Sequence, residues 1–254
     1  MKKAIVWAVL LGGMLSVLGC APGKPAAGPA RANPADFKTY LDRGVESLSV
    51  RDYAKAVLYF GQAVAANPTS SRAHNLLGIA LFQEKNYLQA RPMFEKAISL
   101  RPDYAEAYNN LGSVLCLLKE FGKAKEMFRQ AVGLSPQDVS ANYSLGHLLL
   151  MLGETEEGMI LLAKAIELDP DFLEGHRDMT VGLAYENYNE AEVEFAYARL
   201  FASAGYVDKT LVHLERADRA RFKDWTRVLT DAAFEKVRDD PKIQEFLKSR
   251  GSSR

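Results

Sequence analysis

A spacing of 34 residues runs through most of this chain and limits what it can fold into. Pro68, Pro102, Pro136 and Pro170 form one series, and Gly44, Gly78, Gly112 and Gly146 a second. Ala63, Ala97, Ala131 and Ala165 form a third. Ala56, Ala90 and Ala124 recur with Gly158 in the fourth copy, and Phe60, Phe94 and Phe128 with Leu162. A period of this length marks one supersecondary unit used several times over. The glycines fall in the first helix of each pair, where a side chain would hold the partner helix away. The alanines act likewise from the second helix, and the phenylalanines fill the volume between neighbouring pairs. The prolines end the second helix, because proline cannot continue one and restrains the residue before it. One pair cannot bury its own apolar face, so the copies stack around a shared core.

These positions resemble the tetratricopeptide repeat, whose period is also 34 residues. The resemblance covers Phe37 to Phe172 as four copies. It implies an all-α fold, a right-handed superhelical solenoid of helix-turn-helix units. Beyond Phe172 the register weakens: continuing by 34 puts Thr180 where glycine belongs and Ala204 where proline belongs. A better match starts near Ala191, with Ala198, Gly205, Leu214 and Ala217 at repeat-like positions. Residues 173–190 are then an extra helix or half repeat, or 173–204 a degenerate fifth pair. Residues 173–224 are therefore expected to be degenerate repeat-like helices. Residues 225–254 resemble the helical tail that closes many bacterial arrays, with Phe234, Val237, Ile243, Phe246 and Leu247 turned inward and charged residues facing water.

The N-terminus speaks of location. Lys2 and Lys3 precede an apolar run from Ala4 to Leu18, about 22 Å as a helix. That is short of the roughly 30 Å hydrocarbon core, so residues 1–19 read as a signal peptide. The run ends Val17-Leu18-Gly19-Cys20, which resembles a lipobox, the cleavage motif of bacterial lipoproteins, with Val17 where leucine is commonest. The resemblance implies that Cys20 carries the lipid, and two or three acyl chains anchor stably. Ala21 follows instead of aspartate, which points to the outer membrane. Residues 20–36, rich in Pro, Gly and Ala, are expected to form a disordered tether reaching about 50 Å.

Charge and chemistry exclude several classes. The 32 basic and 32 acidic residues cancel, and removing Lys2 and Lys3 with the leader leaves a net −2. Nucleic acid normally calls for a basic face, so none is expected as a partner. Cys116 has no partner once Cys20 is acylated, and its apolar surroundings make it a structural thiol. The four histidines, His74, His147, His176 and His213, form no metal-ligand cluster. His74 and His176 occupy equivalent packing positions. No nucleophile elbow or phosphate loop is present. Glu154 to Glu157 open a helix, where carboxylates suit the dipole. No catalytic residue, metal, cofactor or small-molecule substrate is expected; the rival reading places an enzyme in 173–254, a segment with few convergent polar residues.

What remains is a groove. In the repeat family, particular positions of the first helix face the concave side, here Leu41, Val45 and Leu48, then Asn75, Ile79 and Phe82, then Asn109, Ser113, Cys116 and Leu117, then Tyr143, His147, Leu150 and Met151. Leu41 and Val45 stand where carboxylate-clamping members carry polar residues, so an amphipathic helix or apolar strand fits better. Lipobox, linker, repeat number and length together resemble the type IV pilus pilotins. That resemblance implies a periplasm-facing outer-membrane lipoprotein whose partner is a secretin subunit. The rival is an adaptor lipoprotein that recruits peptidoglycan hydrolases or synthases.

Overall fold

Local signals place the helices. The side chains of Asp52, Ser70, Asp138 and Asn189 each accept a hydrogen bond from the backbone N–H three residues on, satisfying a first-turn donor. Asn67, Arg101, Ser135 and Asp169 end their helices in extended backbone, with φ between −136° and −151°. Each stands immediately before a proline of the 34-residue series, whose ring disfavours helical backbone at the preceding residue.

The computed structural model describes residues 36–172 and 189–251. The leader, Cys20, most of the tether and the segment 173–188, with His176, lie outside the described residues. Four antiparallel pairs follow one another: α1 (Phe37–Ser49) with α2 (Tyr53–Ala66), α3 (Ser71–Gln83) with α4 (Tyr87–Leu100), α5 (Ala105–Leu117) with α6 (Phe121–Leu134), and α7 (Val139–Met151) with α8 (Thr155–Leu168). A further pair, α9 (Glu190–Ala204) and α10 (Val207–Arg219), sets 190–204 as a first helix rather than a second one. Then come α11 (Thr226–Thr230), a 3-10 turn (Ala232–Phe234) and α12 (Pro241–Lys248). No strand occurs among the described residues.

The glycine series works by a specific exchange. A Cβ on Gly78 would lie 2.6 Å from Phe94 Cε1, and one on Gly112 2.5 Å from Phe128 Cε1; Gly44 faces Phe60 in the same way. Each ring therefore lies across the glycine of its own pair. Phe60 also shares a buried cluster with Ala73 and Ala80 of the next pair. The fourth copy solves the same problem differently: a Cβ on Gly146 would lie 2.8 Å from Leu162 Cγ and 2.9 Å from the Gly158 carbonyl. The smaller Leu162 and the missing side chain at 158 let backbone approach backbone.

The turn within each pair demands left-handed backbone at one residue. Arg51, Lys85, Lys119 and Gly153 adopt φ of 59°, 61°, 62° and 80°, and Gly205 repeats the device at 86°. The next N–H reaches back to the helix, as from Asp52 to the Ser47 carbonyl at 2.8 Å and from Glu120 to Leu115 at 2.8 Å. Glycine adopts this conformation freely; an L side chain there costs on the order of 1 kcal/mol.

Both ends are sealed. Internal copies bury Ala73, Ala107 and Ala141, or Ala80, Val114 and Leu148, against the preceding pair, where the first copy exposes Thr39 and Glu46. Arg43 likewise stands exposed where Leu111 and Leu145 are buried. At the other end Phe234, Val237, Ile243, Phe246 and Leu247 are buried with Phe195, Leu214 and Ala217 of the last pair. The seal starts earlier than residue 225: Phe222 stacks on Phe195 with centroids 4.3 Å apart, and Trp225 sits edge-on to it at 4.9 Å. Each described core cluster closes within 36–251, and Ala32–Arg254 is one unit by its internal contacts. A unit with its own apolar core is expected to fold as one body.

Glycines of two kinds give a clean contrast. Gly112→Ala should cost roughly 1–3 kcal/mol, since the Phe128 ring must move out of a packed contact. Gly61→Ala, inside α2 with nothing within 4 Å of the added Cβ, should gain up to about 1 kcal/mol. A Gly112→Ala variant that melted no lower than the parent, beside a Gly61→Ala control, would show that the exchange is not the organising contact.

Candidate partner-binding groove

The first helices α1, α3, α5 and α7 carry the groove, and packing decides which of their side chains a partner could reach. Leu41 is buried in the cluster that joins the first two pairs. Leu150 and Tyr143 are buried in the cluster that joins α7 and α8 to α9. Asn75, Asn109 and His147 are buried as well. The continuous strip expected from the sequence is thus narrower. Val45, 45% exposed, and the partly buried Leu48, Ile79, Phe82, Ser113 and Leu117 form its accessible part, on the first three pairs. Phe82 is held edge-on by Tyr87, centroids 5.5 Å apart.

The two asparagines are tied into the array itself, Asn75 through both ends of its amide and Asn109 through its nitrogen alone. Asn75 Nδ2 donates to Glu106 Oε1 at 3.0 Å and to the Tyr104 hydroxyl at 3.3 Å, and Asn75 Oδ1 accepts from Asn110 Nδ2 at 3.1 Å. Tyr104 in turn lies under the Arg101 guanidinium, 3.3 Å from its centroid, and burial raises its phenol above the ordinary value. Asn109 Nδ2 donates to Ser140 Oγ at 3.1 Å. Each amide therefore ties its own copy to the next. Tyr104, Glu106, Asn110 and Ser140 carry no periodic signal that would have singled them out.

In the fourth copy the groove closes. His147 Nδ1 is hydrogen-bonded with the Tyr197 hydroxyl at 2.6 Å, and the two rings stack. Tyr197 stacks further on His213, whose Nδ1 lies 2.7 Å from Glu194 Oε2. Burial pushes the His147 imidazole down to about 4, with Glu194 opposing weakly, so it is neutral at neutral pH. Between α5 and α7 a recess of about 30 Å³ remains, bordered by Ser113, Cys116, Ser144, Met151 and Phe172. It has room for about one or two waters. Burial pushes the Cys116 thiol up to about 12, which suppresses the reactive thiolate. His74 packs with Nε2 3.0 Å from the Pro68 carbonyl. Among the described residues no group of three or more His, Cys, Asp or Glu could hold a metal, and no helix is long and apolar enough to cross a membrane.

Three tetratricopeptide-repeat family models match the sequence, at residues 41–90, 69–137 and 118–177. No curated protein is similar enough in sequence to count as a relative. Among solved structures, the crystal structure of MamA protein shares 18% identity over 78% of this chain and 97% of that one, with a TM-score of 0.51. MamA from residue 41 to its end, from Desulfovibrio magneticus RS-1, shares 20% identity over 73% and 94%, with a TM-score of 0.51. At these identities the likeness is one of fold.

His147 makes the junction acid-sensitive. The unfolded chain protonates this imidazole near 6.5 and the folded one near 4, so its contribution is full above pH 6.5 and is lost as pH falls through 4. Stability should drop by roughly 3 kcal/mol across that window beyond the change in His147→Gln. Parallel melts of the two proteins from neutral pH downward read the difference directly.

Proposed function

We propose that this chain, which belongs to the tetratricopeptide-repeat proteins, is a lipid-anchored scaffold that binds a protein partner and acts as a pilotin in type IV pilus biogenesis. The observation that carries the scaffold reading is the accessible apolar row Val45, Leu48, Ile79 and Phe82, mounted on helices whose other faces are locked in the array. Such a row fits an amphipathic helix or an apolar strand of a partner. The ending Val17-Leu18-Gly19-Cys20 supports acylation at Cys20, and Ala21 supports sorting to the outer membrane. A tether of Pro, Gly and Ala would give the body reach from its anchor on the periplasmic side. Lipobox, linker and repeat number together support the pilotin reading, with a secretin subunit as the partner.

Two variants of the full chain in its native host separate anchor from groove. Cys20→Ala should abolish lipid attachment and membrane fractionation while the body still folds. Ile79→Asp with Phe82→Asp should leave the protein lipidated and located. Each new carboxylate would face the partner's apolar surface unpaired, at a cost of at least a few kcal/mol, enough to lose a micromolar complex. The groove variant should then lack secretin multimers, surface pili and pilus-driven motility. Normal multimers in a strain lacking the protein altogether would end the pilotin reading; altered cell shape in that strain would favour recruitment of peptidoglycan enzymes instead.

A further inference from the structure

The turn positions pose a question that packing does not answer. Arg51, Lys85 and Lys119 hold left-handed backbone that glycine would adopt without strain, and glycine does stand there at 153 and 205. The three are related by the 34-residue repeat, so they lie along one edge of the array, between α1 and α2, α3 and α4, α5 and α6. None of the three makes an ion pair or a side-chain hydrogen bond among the described residues. Their acidic neighbours are already engaged: Asp52 holds Lys55 at 2.6 Å, and Glu120 holds Lys123 at 2.7 Å and Arg91 at 2.9 Å. Only Glu84 stands beside them as an exposed acid without such a cation.

Exposed apolar residues stand beside two of these turns. Val50, next to Arg51, is 69% exposed, and Leu88, at the start of the helix that follows Lys85, is 75% exposed. The row stops at the fourth copy, where Gly153 is followed by Glu154, Glu156 and Glu157. Free cations interleaved with exposed aliphatic side chains suit a surface that is anionic at its face and apolar just beneath. A protein's acidic patch would use the cations and leave Val50 and Leu88 in water.

We propose that the edge formed by Arg51, Lys85 and Lys119 with Val50 and Leu88 rests on an anionic phospholipid bilayer. The cations meet headgroup phosphates, and the two aliphatic side chains enter the interface. This contact is separate from the concave row and does not depend on Cys20, so either surface can fail alone. It would lay the first three repeats along the membrane edge-on and leave the groove open to the side.

The test uses the body from Ala32 to Arg254, which lacks the leader and Cys20. Co-sedimentation with phosphatidylglycerol/phosphatidylcholine vesicles is compared with pure phosphatidylcholine vesicles, at low and high salt. Binding should require phosphatidylglycerol and be released by salt. Arg51→Gly, Lys85→Gly and Lys119→Gly combined should weaken partitioning by about a hundredfold, at about fivefold per charge. The same triple variant should melt higher than the parent, because its turns are relaxed, so lost binding cannot be blamed on lost folding. Val50→Ser with Leu88→Ser should also weaken it, with the salt dependence retained. Equal partitioning into both vesicle types, or an unchanged triple variant, would overturn the proposal. Retention on immobilised polyglutamate without any vesicle binding would overturn it too, and would assign the edge to an acidic protein.

Discussion

The aromatic rings of Phe60, Phe94 and Phe128 occupy space that a Cβ on Gly44, Gly78 or Gly112 would need, and the geometry of the array follows from that exchange. With the first helix stripped to backbone at one point, the second can lay a whole ring there and bury it completely. Ala56 and Ala63, also fully buried, keep the remaining contact short. The pair then presents a fixed outer shape to its neighbours, so stacking becomes repetition of one interface. The fourth copy tests this logic within the same molecule. It gives up the ring for Leu162, and Gly158 replaces the alanine, so the helices close the gap by moving backbone onto backbone.

Polar groups then select the order of the copies. A buried amide left unpaired costs more than a paired one contributes, so Asn75 strongly favours the neighbour that offers Tyr104, Glu106 and Asn110 together. Asn109 asks for Ser140, and His147 for Tyr197. On the outer helices, Arg91 to Glu120, Lys125 to Glu154 and Arg129 to Glu157 link successive copies, at 2.7 to 2.9 Å. These pairs are partly exposed and stabilise little, yet like charges in their place would repel. The apolar core is nearly the same in every copy; the polar contacts are what make each junction different from the next.

That division explains what could be read in advance. The repeat, its helix ends and its inward-facing cap were legible because they rest on residues that recur or alternate: Gly112 with Pro136, Phe234 with Ile243. The polar clamps were not, because a partner such as Ser140 or Tyr197 is meaningful only opposite one particular amide or imidazole. The groove positions could be named in advance but not their burial, since position alone does not say that α9 covers Tyr143 and Leu150. The left-handed turn was written openly only at Gly153 and Gly205; at Arg51, Lys85 and Lys119 the side chain conceals what the backbone does.

The same concealment separates structural from functional constraint along the chain. Glycine is the least strained choice at a left-handed turn, and the turns inside the fourth and fifth pairs have it, although Arg221, just after the fifth pair, does not. Three consecutive copies keep a strained cation there, with no partner among the described residues to offset the strain. The accessible apolar row Val45, Leu48, Ile79 and Phe82 also belongs to this half. The first three copies thus combine that row with the unpaired turn cations, whereas α7, packed by α9 and the ring of His147 on Tyr197, is buried on nearly every side.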